Sequence, residues 1–273
     1  MGVFDSGIGG LTLVRKIIKL LPYENIVYFG DTARMPYGGK SCEIITCYAR
    51  ESIEFLNSIG VKLIIAACGT VSTIISKSDL GISGLHGVVE PSCLAAIKAS
   101  KNLKIGVIGT ERAIKSKKYE HVIKKINPNA QVYQKACPVL APLIENGFAQ
   151  KNNKNLISII NIYIKPLLKF QIDTLILGCT HYPIIKNTIS KVIPKIKLID
   201  SGKETAKFIY TFLKNNNLTS DRKTEGKIDF FVSDLPENFS ESTQIFFGNF
   251  FSKKQITITK IQVCMNSLRT SEK

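Results

Sequence analysis

Short apolar runs alternate with longer amphipathic stretches through most of this 273-residue chain, the pattern of parallel strands joined by helical crossovers. The runs predict strands at Gly2–Phe4, Ile26–Phe29, Val61–Ala67, Gly87–Val89, Lys104–Ile108, Ala130–Lys135, Thr174–Leu177, Lys197–Ile199 and Lys227–Val232. The amphipathic intervals predict helices at Leu11–Leu21, Cys42–Ile59, Pro91–Ala99, Ser116–Ile126, Leu156–Phe170, Pro183–Val192, Lys203–Lys214 and Glu237–Phe247. The expected class is α/β.

The strand ends carry an internal echo. The segment from Gly2 to Gly7 has a counterpart from Gly106 to Glu111, and Leu63 to Thr70 has one from Leu175 to Thr180, at offsets of 104 and 111 residues. Two pseudo-symmetric lobes follow, each with a mostly parallel sheet flanked by helices. Ligands of open α/β sheets sit beyond the carboxyl ends of the strands, where both Cys68 and Cys179 fall. A ligand held between facing lobes would meet one thiol from each side.

Composition narrows this little. With 44% hydrophobic and 21% charged residues the chain can bury a sizeable core, as one large domain or two modest ones. No run approaches the roughly 18 apolar residues of a membrane span, and the opening lacks the basic and apolar regions of a signal peptide, so a cytoplasmic protein is expected. Seven cysteines without C-x-x-C spacings argue for free thiols over a disulfide framework or zinc site. The formal charge of +16 is spread along the chain, which favours a solvated basic surface over a nucleic-acid footprint.

Asp5-Ser6-Gly7-Ile8-Gly9-Gly10 follows a strand and precedes a helix but lacks the third glycine of the dinucleotide fingerprint. By itself it reads equally as a turn whose Asp5 and Ser6 cap the helix. A lone cysteine at a strand end is ordinarily an inert core thiol. Cys68 and Cys179 differ because they occupy matched positions, each with a threonine within two residues (Thr70, Thr180) and a helix expected beyond. Helix N-termini lower a thiol's pKa. A hydrolytic cysteine works with a histidine base, whereas racemisation needs a base on one face of a carbon and an acid on the other, which two symmetric thiols supply. His181 beside Cys179, and Asp5 in the other lobe, could hold a thiol's proton or stabilise a substrate ammonium. The polar loop from Asp31 to Gly38 suits ligand contacts. Glu145, in an apolar stretch, reads equally as a helix-surface or a site residue. Cys42, Cys47, Cys93, Cys137 and Cys264 read as structural.

Taken together, DSGIGG at Asp5, YFGDTARMPYG at Tyr28, AACGT at Ala66, VIGT at Val107, CPVLAPLIENG at Cys137 and LGCTHYP at Leu177 resemble the glutamate racemase family, in order and spacing, from Met1 to about Phe247. The resemblance implies two lobes of the aspartate/glutamate racemase type, 1–92 plus 204–273 and 93–203, with the active site between them. It implies cofactor-independent, two-base interconversion of L- and D-glutamate, supplying D-glutamate for peptidoglycan, with no pyridoxal phosphate or metal. Cys68 and Cys179 would be the acid/base pair, assisted by Asp5, His181 and Glu145. Asp5, Ser6, Pro36, Tyr37, Gly38, Gly69, Thr70, Thr110, Thr180 and His181 would contact substrate. A homodimer is compatible with the resemblance.

Two departures stand out. The family usually has asparagine where this chain has Gly69, and threonine where it has Ala113. Each removes a hydrogen-bonding side chain, worth about 0.5–1.5 kcal/mol, so weaker binding or altered substrate choice is expected. A racemase of another amino acid such as aspartate, or a degenerate member kept as a binding protein, are the alternatives. The first strand, starting almost at Asp5, looks clipped.

Overall fold

A computed structural model describes residues 1–75, 84–150, 153–235, 239–248 and 256–261. The first half of the chain forms β1 (Gly2–Asp5), α1 (Leu11–Leu20), β2 (Ile26–Gly30), α2 (Cys42–Ser58), β3 (Ile64–Ala66), α3 (Gly69–Ile74), β4 (Leu85–Gly87) and α4 (Val89–Ala99). The second repeats the theme with β5 (Lys104–Gly109), α5 (Glu111–Lys115), α6 (Lys118–Ile126), β6 (Gln131–Ala136), α7 (Leu140–Glu145), α8 (Lys154–Leu168), β7 (Thr174–Leu177), α9 (Lys186–Val192), β8 (Lys197–Asp200) and α10 (Ser201–Asn215). The chain continues through β9 (Ile228–Val232), α11 (Phe239–Phe247) and β10 (Ile256–Lys260).

The strands make two wholly parallel sheets, ordered β10-β9-β2-β1-β3-β4 and β6-β5-β7-β8. The order β2-β1-β3-β4 of the first recurs as the whole of the second, so the internal echo is an architectural repeat. Register agrees with it: Phe4 lies opposite Ala66 and Ile108 opposite Leu177, pairs related by the sequence offsets. The central strands β1, β2, β3 and β7 are buried along their whole length. Burial on both faces explains their continuous apolar runs.

In each sheet the winding reverses between the first strand and the third, which opens a crevice at their carboxyl ends. Cys68 leaves β3 and Cys179 leaves β7 at these two crevices. The helices that close the halves are held by amphipathic faces. α1 buries Leu11, Val14, Ile17 and Ile18, each contributing about 1.5–3 kcal/mol, against α10 and α11. Ile17→Ala would cost about 2–5 kcal/mol. Local caps set several boundaries: Ser41 accepts from Ile44 N–H, Asn153 from Leu156 N–H, and Asp200 from Lys203 N–H.

Several expected boundaries shift for physical reasons. The strand expected at Gly87–Val89 lies at Leu85–Gly87, because Val89 already begins α4. The one expected at Val61–Ala67 shortens to Ile64–Ala66, where both neighbouring strands pair with it. The helix expected from Ser116 starts at Lys118, since Lys117 adopts a left-handed conformation (φ 53°) after α5. The helix expected from Pro183 begins as a 3-10 turn, Tyr182–Ile185. Expectations for Glu237 and Cys264 fall outside the described residues. Both expected lobe boundaries fall inside helices, α4 and α10, and these two helices pack on one another.

Candidate active site

Three segments after strands of the first sheet, and three after strands of the second, converge on a cavity of about 180 Å³. β1 delivers Ser6 and Gly7, the loop after β2 delivers Met35 to Gly39, and β3 delivers Cys68, Gly69 and Thr70. From the other sheet β5 delivers Thr110 and Glu111, the segment after β6 delivers Pro138, Ala141, Pro142 and Glu145, and β7 delivers Cys179, Thr180 and His181. A larger cavity, about 430 Å³, lies beside β4, α4 and α6 and touches neither Cys68 nor Cys179.

Every expected site residue except Asp5 lines the smaller cavity. Asp5 is buried behind the lining, where its carboxylate accepts from Gly7 N–H at 3.3 Å. The helix cap expected of Asp5 and Ser6 does not form, because Gly10 occupies the N-cap of α1 without a side-chain bond. Burial raises the Asp5 pKa, and the His181 charge opposes that rise without cancelling it. Ala113 does not line the cavity; it lies buried in α5, with its N–H donating to Thr110 Oγ1 at 3.3 Å. Met35 belongs to the Asp31–Gly38 loop expected to contact ligand, whereas Gly39, Glu111, Pro138, Ala141 and Pro142 carry no site signal of their own in the sequence and lie within or beside quoted motifs.

The two thiols have different surroundings. Cys68 caps α3, and its Sγ donates to Ser6 Oγ at 3.5 Å. The helix N-terminus was expected to lower its pKa. Instead burial, reinforced by the Asp5 charge, pushes it up to about 12, and the Val71 N–H only partly offsets this. Desolvation of a thiolate outweighs one helical N–H when the sulfur is wholly enclosed. Cys179 Sγ lies 3.7 Å from His181 Nδ1, and the opposite ring nitrogen, Nε2, is 2.7 Å from Glu145 Oε1. Burial alone would disfavour the imidazolium, yet Cys179 and Glu145 together hold the His181 pKa up at about 10. In that state both ring N–H groups donate, one toward Cys179 and one to Glu145. Glu145 is therefore not a helix-surface glutamate: it ends α7 with its carboxylate turned to the imidazole.

The lobes touch around this cavity. Thr70 Oγ1 and Thr110 Oγ1 share a hydrogen bond at 2.8 Å, and Thr12 Oγ1 donates to Thr180 O at 2.9 Å. Arg112 Nε donates to Lys40 O at 2.9 Å, and Lys16 pairs with Asp200 at 2.6 Å farther out. The Lys16 pair is mostly buried, so the cost of desolvating its charges, the largest influence on Lys16, offsets their attraction. Such a site presents one thiol from each half to a common small ligand, with a separate proton-holding group beside each sulfur. It suits proton removal and return at opposite faces of one carbon.

Comparison with known proteins agrees with that geometry. The chain is 40% identical to a glutamate racemase from Geobacter metallireducens over 252 residues, covering 91% of this chain and 92% of that one. In structure it is similar to the glutamate racemase from Francisella tularensis in complex with D-glutamate, with a TM-score of 0.87 and 36% identity, covering 96% of this chain and 97% of that one. A glutamate racemase isoform from Bacillus anthracis gives a TM-score of 0.87 at 34% identity, with 96% of each chain covered. The model of the Asp/Glu/Hydantoin racemases matches residues 27–209, and the chain belongs to that family.

Proposed function

We propose that this protein interconverts L- and D-glutamate by two-base proton exchange, with Cys68 and Cys179 alternating as base and acid. The observation that carries this reading is the single cavity receiving one thiol from each sheet. One sulfur, as thiolate, takes the α-proton, and the other, as thiol, returns a proton to the opposite face of Cα. The reverse reaction exchanges the roles.

His181, held protonated by Cys179 and Glu145, supplies and stores the proton beside Cys179. Asp5, whose pKa is raised by burial, places its charge where it favours the thiol form of Cys68, the form that returns a proton to Cα. The hydroxyls of Ser6, Thr70, Thr110 and Thr180 offer donors for two substrate carboxylates, and Pro36, Tyr37, Gly38 and Gly69 shape the wall. The lobes are taken as 1–92 plus 204–273 and 93–203. The homodimer, the cytoplasmic setting and the supply of D-glutamate for peptidoglycan belong to this reading through the family resemblance. Among the described residues no helix is long and apolar enough to cross a membrane.

The test is circular dichroism of L-glutamate and, separately, D-glutamate in deuterated water with purified protein and no added cofactor, followed by NMR of the α-position. Loss of optical activity from both enantiomers with α-deuterium uptake is the expected outcome. Unchanged enantiomers at high enzyme concentration would defeat the reading, and faster turnover of aspartate or another amino acid would replace glutamate as the substrate.

A further inference from the structure

Tyr37 lines the cavity, yet its one O–H donor is committed to Asp31 Oδ2. Asp31 directly follows β2 and is fully buried, with 0% of its surface exposed. The same Oδ2 accepts from Arg34 Nε at 2.7 Å, while Oδ1 accepts from Ser233 Oγ at 2.7 Å. Ser233 is the first residue after β9, and its Oγ also accepts from Ala33 N–H at 2.9 Å. Next to it, Asp234 N–H donates to Thr32 Oγ1 at 2.9 Å. On the other side the Arg34 guanidinium pairs with Glu51 and lies 3.9 Å from the centre of the Tyr48 ring.

A buried carboxylate is tolerated only when its oxygens are satisfied, and here the donors come from three places: the cavity wall, its own loop and a strand 202 residues away. None of these groups is used by the proton exchange described above. The connection runs from β9 through Ser233 and Asp31 to Tyr37, and so to the wall formed by Pro36, Tyr37 and Gly38. Burial and the Asp31 charge both push the Tyr37 pKa well up, so its hydroxyl stays protonated and remains a donor to Asp31.

We propose that Asp31 and Ser233 are positioning residues for substrate, holding the Pro36–Gly38 wall in place through Tyr37 so that strand β9 takes part in setting affinity. This rests on the reading of the cavity as the glutamate site. Residues that hold a wall in place equally in ground state and transition state change KM more than kcat.

The experiment compares the full-length protein with Asp31→Asn, Ser233→Ala, Tyr37→Phe and the Asp31→Asn/Tyr37→Phe double variant. It reads kcat and KM in both directions and hydrogen exchange of the amides at 34–39. The expected result is a rise in KM of about tenfold for Asp31→Asn and less for Ser233→Ala, with kcat within about twofold of the parent and faster exchange at 34–39. The Asp31 and Tyr37 effects should be clearly less than additive. A general loss of structure would instead lower kcat with the folded fraction and leave KM alone, and that result overturns the proposal. So do folded variants with parental KM and parental exchange. If Asp31→Asn does not fold, Ser233→Ala and Tyr37→Phe decide by the same readings. If the parent does not racemise glutamate, the exchange measurement still decides whether Asp31 and Ser233 hold the wall, because it needs no substrate.

Discussion

A β-carbon at position 69 would overlap the carbonyl oxygen of Gly178, the residue immediately before Cys179 in the opposite lobe. That carbonyl cannot give way cheaply, because Gly178 N–H is bonded to Ile108 O at 2.8 Å within the second sheet. Gly69 therefore lets the two cysteine-bearing strand ends meet backbone to backbone. The asparagine usual in the family would bring a hydrogen-bonding amide, but on this backbone it would first have to part the lobes. Gly69→Ala and Gly69→Asn are each expected to destabilise the fold by about 1–3 kcal/mol, read from denaturant midpoints, and neither should lower KM for glutamate. A Gly69→Asn protein that is both more stable and tighter-binding than the parent would contradict this account.

Each cysteine should be indispensable to inversion. Cys68→Ala and Cys179→Ala are expected to slow racemisation by about 10²–10⁴-fold or more, the usual contribution of a positioned acid or base, with little effect on secondary structure. Polarimetry of both enantiomers checks this, and near-parental turnover by either single variant would refute the two-base scheme.

The His181–Glu145 pair makes a prediction about pH. The His181 pKa is raised from 6.5 to about 10 in the fold, so the native state holds this proton more tightly than the unfolded chain does. Its contribution to stability is therefore full below about pH 6.5 and is lost progressively as pH rises toward 10. NMR of the His181 ring should show no titration between pH 6 and 8, and Glu145→Gln should bring the titration down toward the ordinary imidazole range. A His181 signal that titrates near 6.5 in the parent would remove the imidazolium from the scheme.

Asp5 and Cys68 are coupled by charge, since the carboxylate helps push the thiol up to about 12. Replacing Asp5 by Asn keeps the shape and removes that charge, so a larger fraction of Cys68 should be thiolate at a given pH. Alkylation of Cys68 by iodoacetamide, followed peptide by peptide, is expected to speed up in Asp5→Asn while the buried Cys93 stays slow. Equal Cys68 rates in parent and variant would show that burial alone controls the sulfur.

Much of this architecture was legible in the chain itself. Continuous apolar runs mark strands buried on both faces, and amphipathic spacing marks helices such as α1 and α10, because both patterns arise from neighbours in sequence. The repeat linking Cys68 to Cys179 was visible for the same reason. The helix expected beyond Cys68 is α3, whereas α5 and α7, of five and six residues, are too short to show a helical period in the sequence. The edge strand β10, ITITK, gives no long apolar run in the sequence, as an edge position demands little apolar content. Cys42, read as structural, is exposed at the start of α2.

The sequence by itself determined the class of fold, the strand ends that carry the chemistry and the residue types gathered there. Only the tertiary structure decided their state and their partners. Enclosure raised the Cys68 thiol where helix capping alone would have lowered it, Glu145 became the partner of His181, and Ser233 became a support for Asp31 from the far end of the chain. These outcomes depend on desolvation and on hydrogen bonds between residues distant in sequence, quantities that exist only once the two sheets have come together.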